Sequence, residues 1–286
     1  MDNASLRRQI SSLKESTGMG WGIIEQDYAL SWLLFGISKV KKLKSSLVFK
    51  GGTALKKCYF GNYRFSQDLD FSVQGSYPHG EELLVLLGEA CQIASETVDS
   101  IELICKRYPE KKAHPEGQEA FSVYAQFPWQ RDFITPVKVE VTTREKILLP
   151  PHELTILHEY EEHLDGAILT YQLEEIIAEK IRAILQFAKK LHERGWGRSR
   201  VRDYYDLWRI FGEYESQIDK DALPALVTQK CSLKFIHFQS IDDLFQDRLM
   251  EYILEWDKWL SPLVPQVPNK DRVVKDLKKQ LQDVFG

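Results

Sequence analysis

One ten-residue segment, "RFSQDLDFSV" from Arg64 to Val73, constrains the fold more than any other part of the chain. Side chains alternate across a strand with period two. On that period Phe65, Leu69, Phe71 and Val73 fall on one face together with Gln67, while Ser66, Asp68, Asp70 and Ser72 fall on the other. The first face requires a core and the second is polar throughout, so the segment predicts a strand in a sheet covered on one side. Asp68 and Asp70 then lie roughly 6–7 Å apart along the strand. Their repulsion calls for a counter-charge, which a divalent cation between them supplies. Mg²⁺ suits such a pair because it takes one or two carboxylates plus waters and substrate phosphates. A solvated strand face accounts for an isolated D-x-D equally well.

"VKVEV" (Val137 to Val141) repeats the pattern, with Val137, Val139 and Val141 inward and Lys138 and Glu140 on the other face. Beside the first strand, Glu140 becomes a third acid on the polar surface, and three carboxylates on neighbouring strands form a two-metal phosphoryl-transfer arrangement. Taken alone, the segment is an ordinary amphipathic strand. Ahead of the aspartates, "KGGTALKK" sets Gly51 and Gly52 before a helix. Glycine lets the backbone approach an anion closely, and a helix start offers free N–H groups. Thr53 reads as an N-cap or a phosphate ligand. Neither G-x-x-x-x-G-K-[ST] nor G-x-G-x-x-G is present, so this is not a P-loop or a dinucleotide fingerprint.

"YQLEEIIAEKIRAILQFA" is the clearest helix, with an apolar stripe of Leu173, Ile176, Ile177, Ile181, Ile184, Leu185 and Ala188. Lys180 falls in the middle of that stripe, while Glu174, Glu175, Glu179 and Arg182 fall outside it. A buried unpaired ammonium is strongly disfavoured, so Lys180 must snorkel out or meet an anion, either an acid cluster or a triphosphate. In the next helix Val201, Tyr204, Tyr205, Trp208 and Phe211 form an apolar face, with Arg202, Asp203 and Asp206 off it. Asp203 is a dipole-favoured acid or a catalytic one. Lys189, Lys190, Arg194, Arg198, Arg200 and Arg202, interleaved with Trp196, make either an RNA patch or a solvated loop.

Other helical segments are expected from Trp21 to Val40 and from Glu81 to Ser100. Strands are expected at "SSLVFKGG", "IELICKRYP", "AFSVYAQFPW" and "TPVKVEVTTRE", with a polar loop at "EKKAHPEGQE". Beyond "LPP" at 149–151 helical periodicity dominates, predicting an α/β core over 1–150 and a helical half over 151–286. The formal net charge of −4 excludes a uniformly basic nucleic-acid binder. No apolar run is long enough for a membrane span, and the polar start lacks a signal-peptide core, so a cytoplasmic protein is expected. Cys58, Cys91, Cys105 and Cys231 show no C-x-x-C spacing and read as buried thiols, not zinc ligands or disulfides.

"EQDYALSWLL", "FKGGTALKKCY", "RFSQDLDF", "LEEIIAEKIRAIL" and "RSRVRDYYDL", in this order over about residues 21–211, resemble the AbiEii/AbiGii-type nucleotidyltransferase toxins, a family that includes the MenT-like toxins. The resemblance implies an α/β fold, a DNA-polymerase-beta-like nucleotidyltransferase core with a mixed sheet and a helical C-terminal half. It implies transfer of a nucleoside monophosphate from an NTP to an acceptor hydroxyl, with Mg²⁺ or alternatively Mn²⁺. Carried over, Gly51, Gly52, Thr53 and Ser66 attend the nucleotide, and Asp68 and Asp70 hold the metal with Glu140 as the third acid. Lys180 binds nucleotide phosphates and Asp203 completes the acidic site. One departure is Gly-Gly-Thr in place of Gly-Ser. Relatives that modify the tRNA 3′ end suggest tRNA as acceptor, held by Arg198, Arg200 and Arg202, and a cognate antitoxin as partner. Protein or small-molecule acceptors, and a non-catalytic nucleotide-binding regulator, are the alternatives.

Overall fold

The computed structural model describes residues 3–109 and 117–286, and the chain divides into two compact units, Met1–Tyr171 and Gln172–Gly286. The first opens with helices α1 (Asn3–Thr17), α2 (Trp21–Lys39) and α3 (Lys41–Ser46). Strand β1 (Leu47–Lys50) follows, then helix α4 (Gly51–Ala54), which runs on as a π-helical stretch over Leu55–Phe60. After β2 (Asp68–Val73) and α5 (Gly80–Val98) come β3 (Glu102–Arg107), β4 (Gln118–Gln126), β5 (Thr135–Thr142), β6 (His152–Thr155) and β7 (Ala167–Thr170). The polar loop expected at 110–119 lies outside the described residues as far as 116, and Gln118 and Glu119 already belong to β4.

The seven strands form one mixed sheet in the order β3-β4-β5-β2-β1-β7-β6. Alternation dictates its covered face: Leu69, Phe71, Val137, Val139 and Val141 are all buried, and the rings of Phe49 and Phe71 lie 5.2 Å apart. Packed against β5 and α5 is α2, which is buried without interruption from Ile24 to Ser38. A helix covered on every side shows no amphipathic stripe. Its polar residues are therefore matched individually. Glu25 accepts from the indoles of Trp21 and Trp129, each at 2.6 Å, and Asp27 accepts from Lys57 Nζ at 2.8 Å.

Three expectations change. The strand begins at Asp68 and not at Arg64, because the preceding residues are held by side chains: Gln67 is tied to Gln26, and Arg64 is buried against the glycine turn. Ser72 is fully buried, its hydroxyl accepting from Tyr171 Oη at 2.7 Å, so the polar face closes at that end. The first unit also extends to Tyr171 and not to about 150, because β6 and β7 complete the sheet where helix was expected.

The second unit is helical: α6 (Leu173–Arg194), α7 (Val201–Tyr214), α8 (Leu223–Ser232), α9 (Asp247–Ile253), α10 (Trp256–Leu260) and α11 (Lys270–Phe285). The stripe read on α6 is buried except for the half-buried Ala188, and Glu174, Glu175 and Arg182, placed outside it, are buried too. Lys230 of α8 explains Glu175, since the fully buried ammonium meets that carboxylate at 2.7 Å. Among the described residues no helix is long and apolar enough to cross a membrane. All four cysteines are free; Cys58, Cys91 and Cys231 are buried and Cys105 is half-buried. Burial pushes the Cys58 and Cys105 thiols up to about 12.

Candidate active site

The polar face of the sheet is assembled by register. β1 runs antiparallel to β2 and sets Lys50 opposite Asp70, while β5 runs parallel to β2 on its other side and sets Glu140 opposite Asp70. Directly opposed residues share a face, so Lys50, Asp70 and Glu140 form one row across three strands. Asp68 and Lys138 are opposed in the next row. Both lysines went unread as site residues. Lys50 was visible only as the residue before two glycines, and Lys138 only as the polar partner of Glu140 on one strand.

The electrostatics follow from this crowding. Burial and the neighbouring Glu140, with a lesser push from Asp68, bring the Asp70 carboxyl up to about 7 against the downward pull of Lys50. Lys138 donates to the Glu140 carboxylate and lies 4.9 Å from the centre of the Tyr108 ring. Burial alone would lower the Lys138 ammonium, but Glu140 and Asp68 outweigh it and raise it above the ordinary lysine value.

The glycine turn lies directly against the acids. Gly51 has a left-handed φ of +79°, and a Cβ built there would stand 2.8 Å from Asp70 Oδ2. At Gly52 a Cβ would meet the Arg64 guanidinium, 2.2 Å from Nη2, so that arginine packs on the turn's bare backbone. Thr53 is not an N-cap. The helix begins at Gly51 with Lys50 in the capping position, and the Thr53 hydroxyl donates to the Asp68 carbonyl. Thr53 thereby ties the turn to the acid strand. Ser66 sits just ahead of β2 and is 9% exposed.

Gln26 of α2, also unread, braces the entry to both acid-bearing strands. Its amide nitrogen donates to the carbonyls of Gln67 at 3.2 Å and Pro136 at 2.6 Å, and its oxygen accepts from the Gln67 amide at 3.0 Å. Two carbonyls at the frayed end of the β2–β5 ladder are thus satisfied one residue before Asp68 and two before Lys138. Its signal in the sequence was a glutamine inside an apolar helix.

Within the second unit Lys180 meets anions. Its ammonium lies 2.5 Å from Asp206 Oδ2 and 3.1 Å from Asp203 Oδ1, and Arg200 reaches the other Asp203 oxygen at 3.5 Å. Asp206, expected off the packed face of α7, is fully buried because it receives Lys180. Arg198 is exposed, Arg200 and Arg202 are half-buried, and Trp196 is 69% exposed. Phe235, 84% exposed, joins this surface, since Lys189 Nζ donates to its carbonyl at 3.2 Å.

Among the described residues no three His, Cys, Asp or Glu side chains converge to hold a metal ion. The pair Asp68 and Asp70 still offers the hard oxygen donors that Mg²⁺ takes, with its remaining positions filled by water and phosphate. The side-chain-free position at Gly51 lies directly against Asp70. The donor chemistry of the Asp68 and Asp70 pair suits a hard divalent cation.

The model of the nucleotidyl transferase AbiEii toxins of type IV toxin–antitoxin systems matches residues 32–283. No curated protein matches the sequence. Among solved structures, MenT4, a nucleotidyltransferase toxin from Mycobacterium tuberculosis H37Rv, aligns with a TM-score of 0.62 at 20% identity. The alignment covers 98% of this chain and 88% of that one, so the two share a fold. Since the family match runs through nearly the whole chain, past the last recognised motif, which ends at Leu207, the chain belongs to the AbiEii family of nucleotidyl transferase toxins.

Proposed function

We propose that this protein transfers a nucleoside monophosphate from an NTP to an acceptor hydroxyl, that of a tRNA 3′ end, and releases pyrophosphate. The observation that carries the proposal is the charged row Lys50–Asp70–Glu140, with Asp68 beside it and the bare Gly51–Gly52 backbone against Asp70. The acceptor oxygen attacks the α-phosphorus in line with the departing pyrophosphate. The new P–O bond forms as the bond to the bridging oxygen breaks. The hydroxyl proton passes to Asp70 or Glu140, whose carboxyl groups are opposed in register. Gly51 and Gly52 admit the triphosphate to the backbone, and Thr53 holds that backbone to β2. A divalent cation on Asp68 and Asp70, Mg²⁺ or Mn²⁺, neutralises the phosphate charge when bound. Lys180 and Asp203 enter as the phosphate ligand and acid of the family pattern. RNA as acceptor is favoured by the exposed cations about Trp196 and Phe235. The family's type IV toxin–antitoxin setting points to a cognate antitoxin, with or without direct complex formation.

Incubation of the purified protein with each α-labelled NTP, Mg²⁺ and total cellular RNA tests this. Label should enter the tRNA band with one NTP, and Asp70→Ala should abolish it. Label on protein or on a small molecule would replace the acceptor, and an active Asp70→Ala would refute the site.

A further inference from the structure

We propose that the acid face holds a single divalent cation, the place of a second being taken by the ammonium of Lys138. The proposal rests on Asp68 and Asp70 as cation ligands and changes what Glu140 does. Three carboxylates in a sheet suggest a two-metal clamp, but this sheet also brings two ammonium groups into the same two rows. Lys50 lies opposite Asp70 and Lys138 opposite Asp68.

Lys138 occupies the ground a second cation would need. It is ion-paired with Glu140, and both side chains are partly buried, 34% and 23% exposed. Tyr108 faces the ammonium 4.9 Å away, adding a cation–π contact that favours its charged form where it stands. A second metal drawing on Asp68 and Glu140 would lie against Lys138, which is register-matched to the first and bonded to the second. It would have to expel the ammonium or lie against a like charge.

The geometry makes Lys138 a positioning residue. It fixes the Glu140 carboxylate opposite Asp70 and supplies a permanent single positive charge next to Asp68. A fixed ammonium cannot exchange with solution, so its contribution is independent of metal concentration.

Mn²⁺ alone, titrated onto the full chain and followed by the loss of its free-ion paramagnetic resonance signal, reads the stoichiometry without reference to activity. The wild type should bind one Mn²⁺ per chain, and Asp68→Asn with Asp70→Asn should bind none. Lys138→Met should bind a second ion through the freed Glu140, and Lys138→Met with Glu140→Gln should return to one. Glu140→Gln alone should keep one, which covers the case in which Lys138→Met does not fold. Two ions on the wild type, one on a folded Lys138→Met, or none on Glu140→Gln would overturn the proposal. A wild type that binds no Mn²⁺ removes the cation site beneath it as well, whereas nucleotidyl transfer by a chain with two ions would leave the proposed function standing and sink this inference alone.

Discussion

Gly51 shows how little room separates the turn from the acids. Its left-handed backbone and the 2.8 Å from a built Cβ to Asp70 Oδ2 act together. An alanine must strain the turn or push the carboxylate aside. A displacement of about 1 Å in a reacting constellation costs on the order of 10²-fold in rate. Gly51→Ala should therefore reduce nucleotidyl transfer by about that factor, while backbone strain of about 1–3 kcal/mol lowers the melting temperature by roughly 2–12 °C. Rate assays and thermal melts on the same preparation check this, and transfer at the wild-type rate would show that Asp70 has no need of its place. At this scale the acids were legible because period two is a local property of six or seven residues. Their counter-charges were not. Lys50 and Lys138 become site residues only through the register of β1 and β5 against β2, which no single segment encodes.

Among elements, α2 contributes most by what it buries. Asp27 and Lys57 are each 1% exposed, and the ammonium also donates to Ser31 Oγ at 2.9 Å. Burial pushes the Asp27 carboxyl up, but the charges of Lys57 and Lys56 and hydrogen bonds from Lys57 and Tyr160 outweigh it and hold it below the ordinary carboxylate value. Burial lowers the Lys57 ammonium in turn, so the pair is costly to keep and more costly to halve. Lys57→Met leaves a buried carboxylate with only Lys56 Nζ, 4.0 Å away, as a nearby cation, and should destabilise the fold by about 3–5 kcal/mol in urea. The depressed Asp27 stabilises the native state fully above its unfolded value near 3.8 and loses that contribution as pH falls through its lower folded value. Below about pH 4 the wild type should therefore lose stability more steeply than Asp27→Asn, and parallel acid limbs in urea titrations would contradict the assignment. The helix itself was plain from its apolar content. Its paired polar residues were hidden, because burial on all sides leaves no stripe against which Gln26 or Asp27 could stand out. Strands β6 and β7 escape for a different reason: with four residues each they are too short to display alternation, and neither is closed by a glycine pair as the equally short β1 is.

For the whole molecule, the five motifs end at Leu207 while the family match runs to 283. What lies between is carried by packing, as in α11, where Val273, Leu277 and Leu281 are buried at helical spacing and no side chain marks a chemistry. Acceptor recognition therefore has to be sought in surface charge. The chain carries a formal −4 overall, so the RNA acceptor proposed above would have to be met by a local field, and the run from Lys189 to Arg202 is the candidate. Its members are not equivalent. Arg200 is committed to Asp203 at 3.5 Å, so reversing it would disturb the Lys180 cluster as well. Arg198 and Trp196 are exposed and make cleaner probes. If Arg198 contacts phosphate, Arg198→Glu should weaken RNA binding and reduce the slope of log K against log salt by about 1. Trp196→Ala should weaken it by about 1–3 kcal/mol if a base stacks there, and leave the salt slope unchanged. NTP binding, followed by calorimetry, should be unaltered in both. Equal RNA affinity in wild type and both variants across a salt series would remove this surface from acceptor recognition, while a changed affinity with an unchanged slope for Arg198→Glu would mean that the arginine acts by contact with bases and not with phosphate.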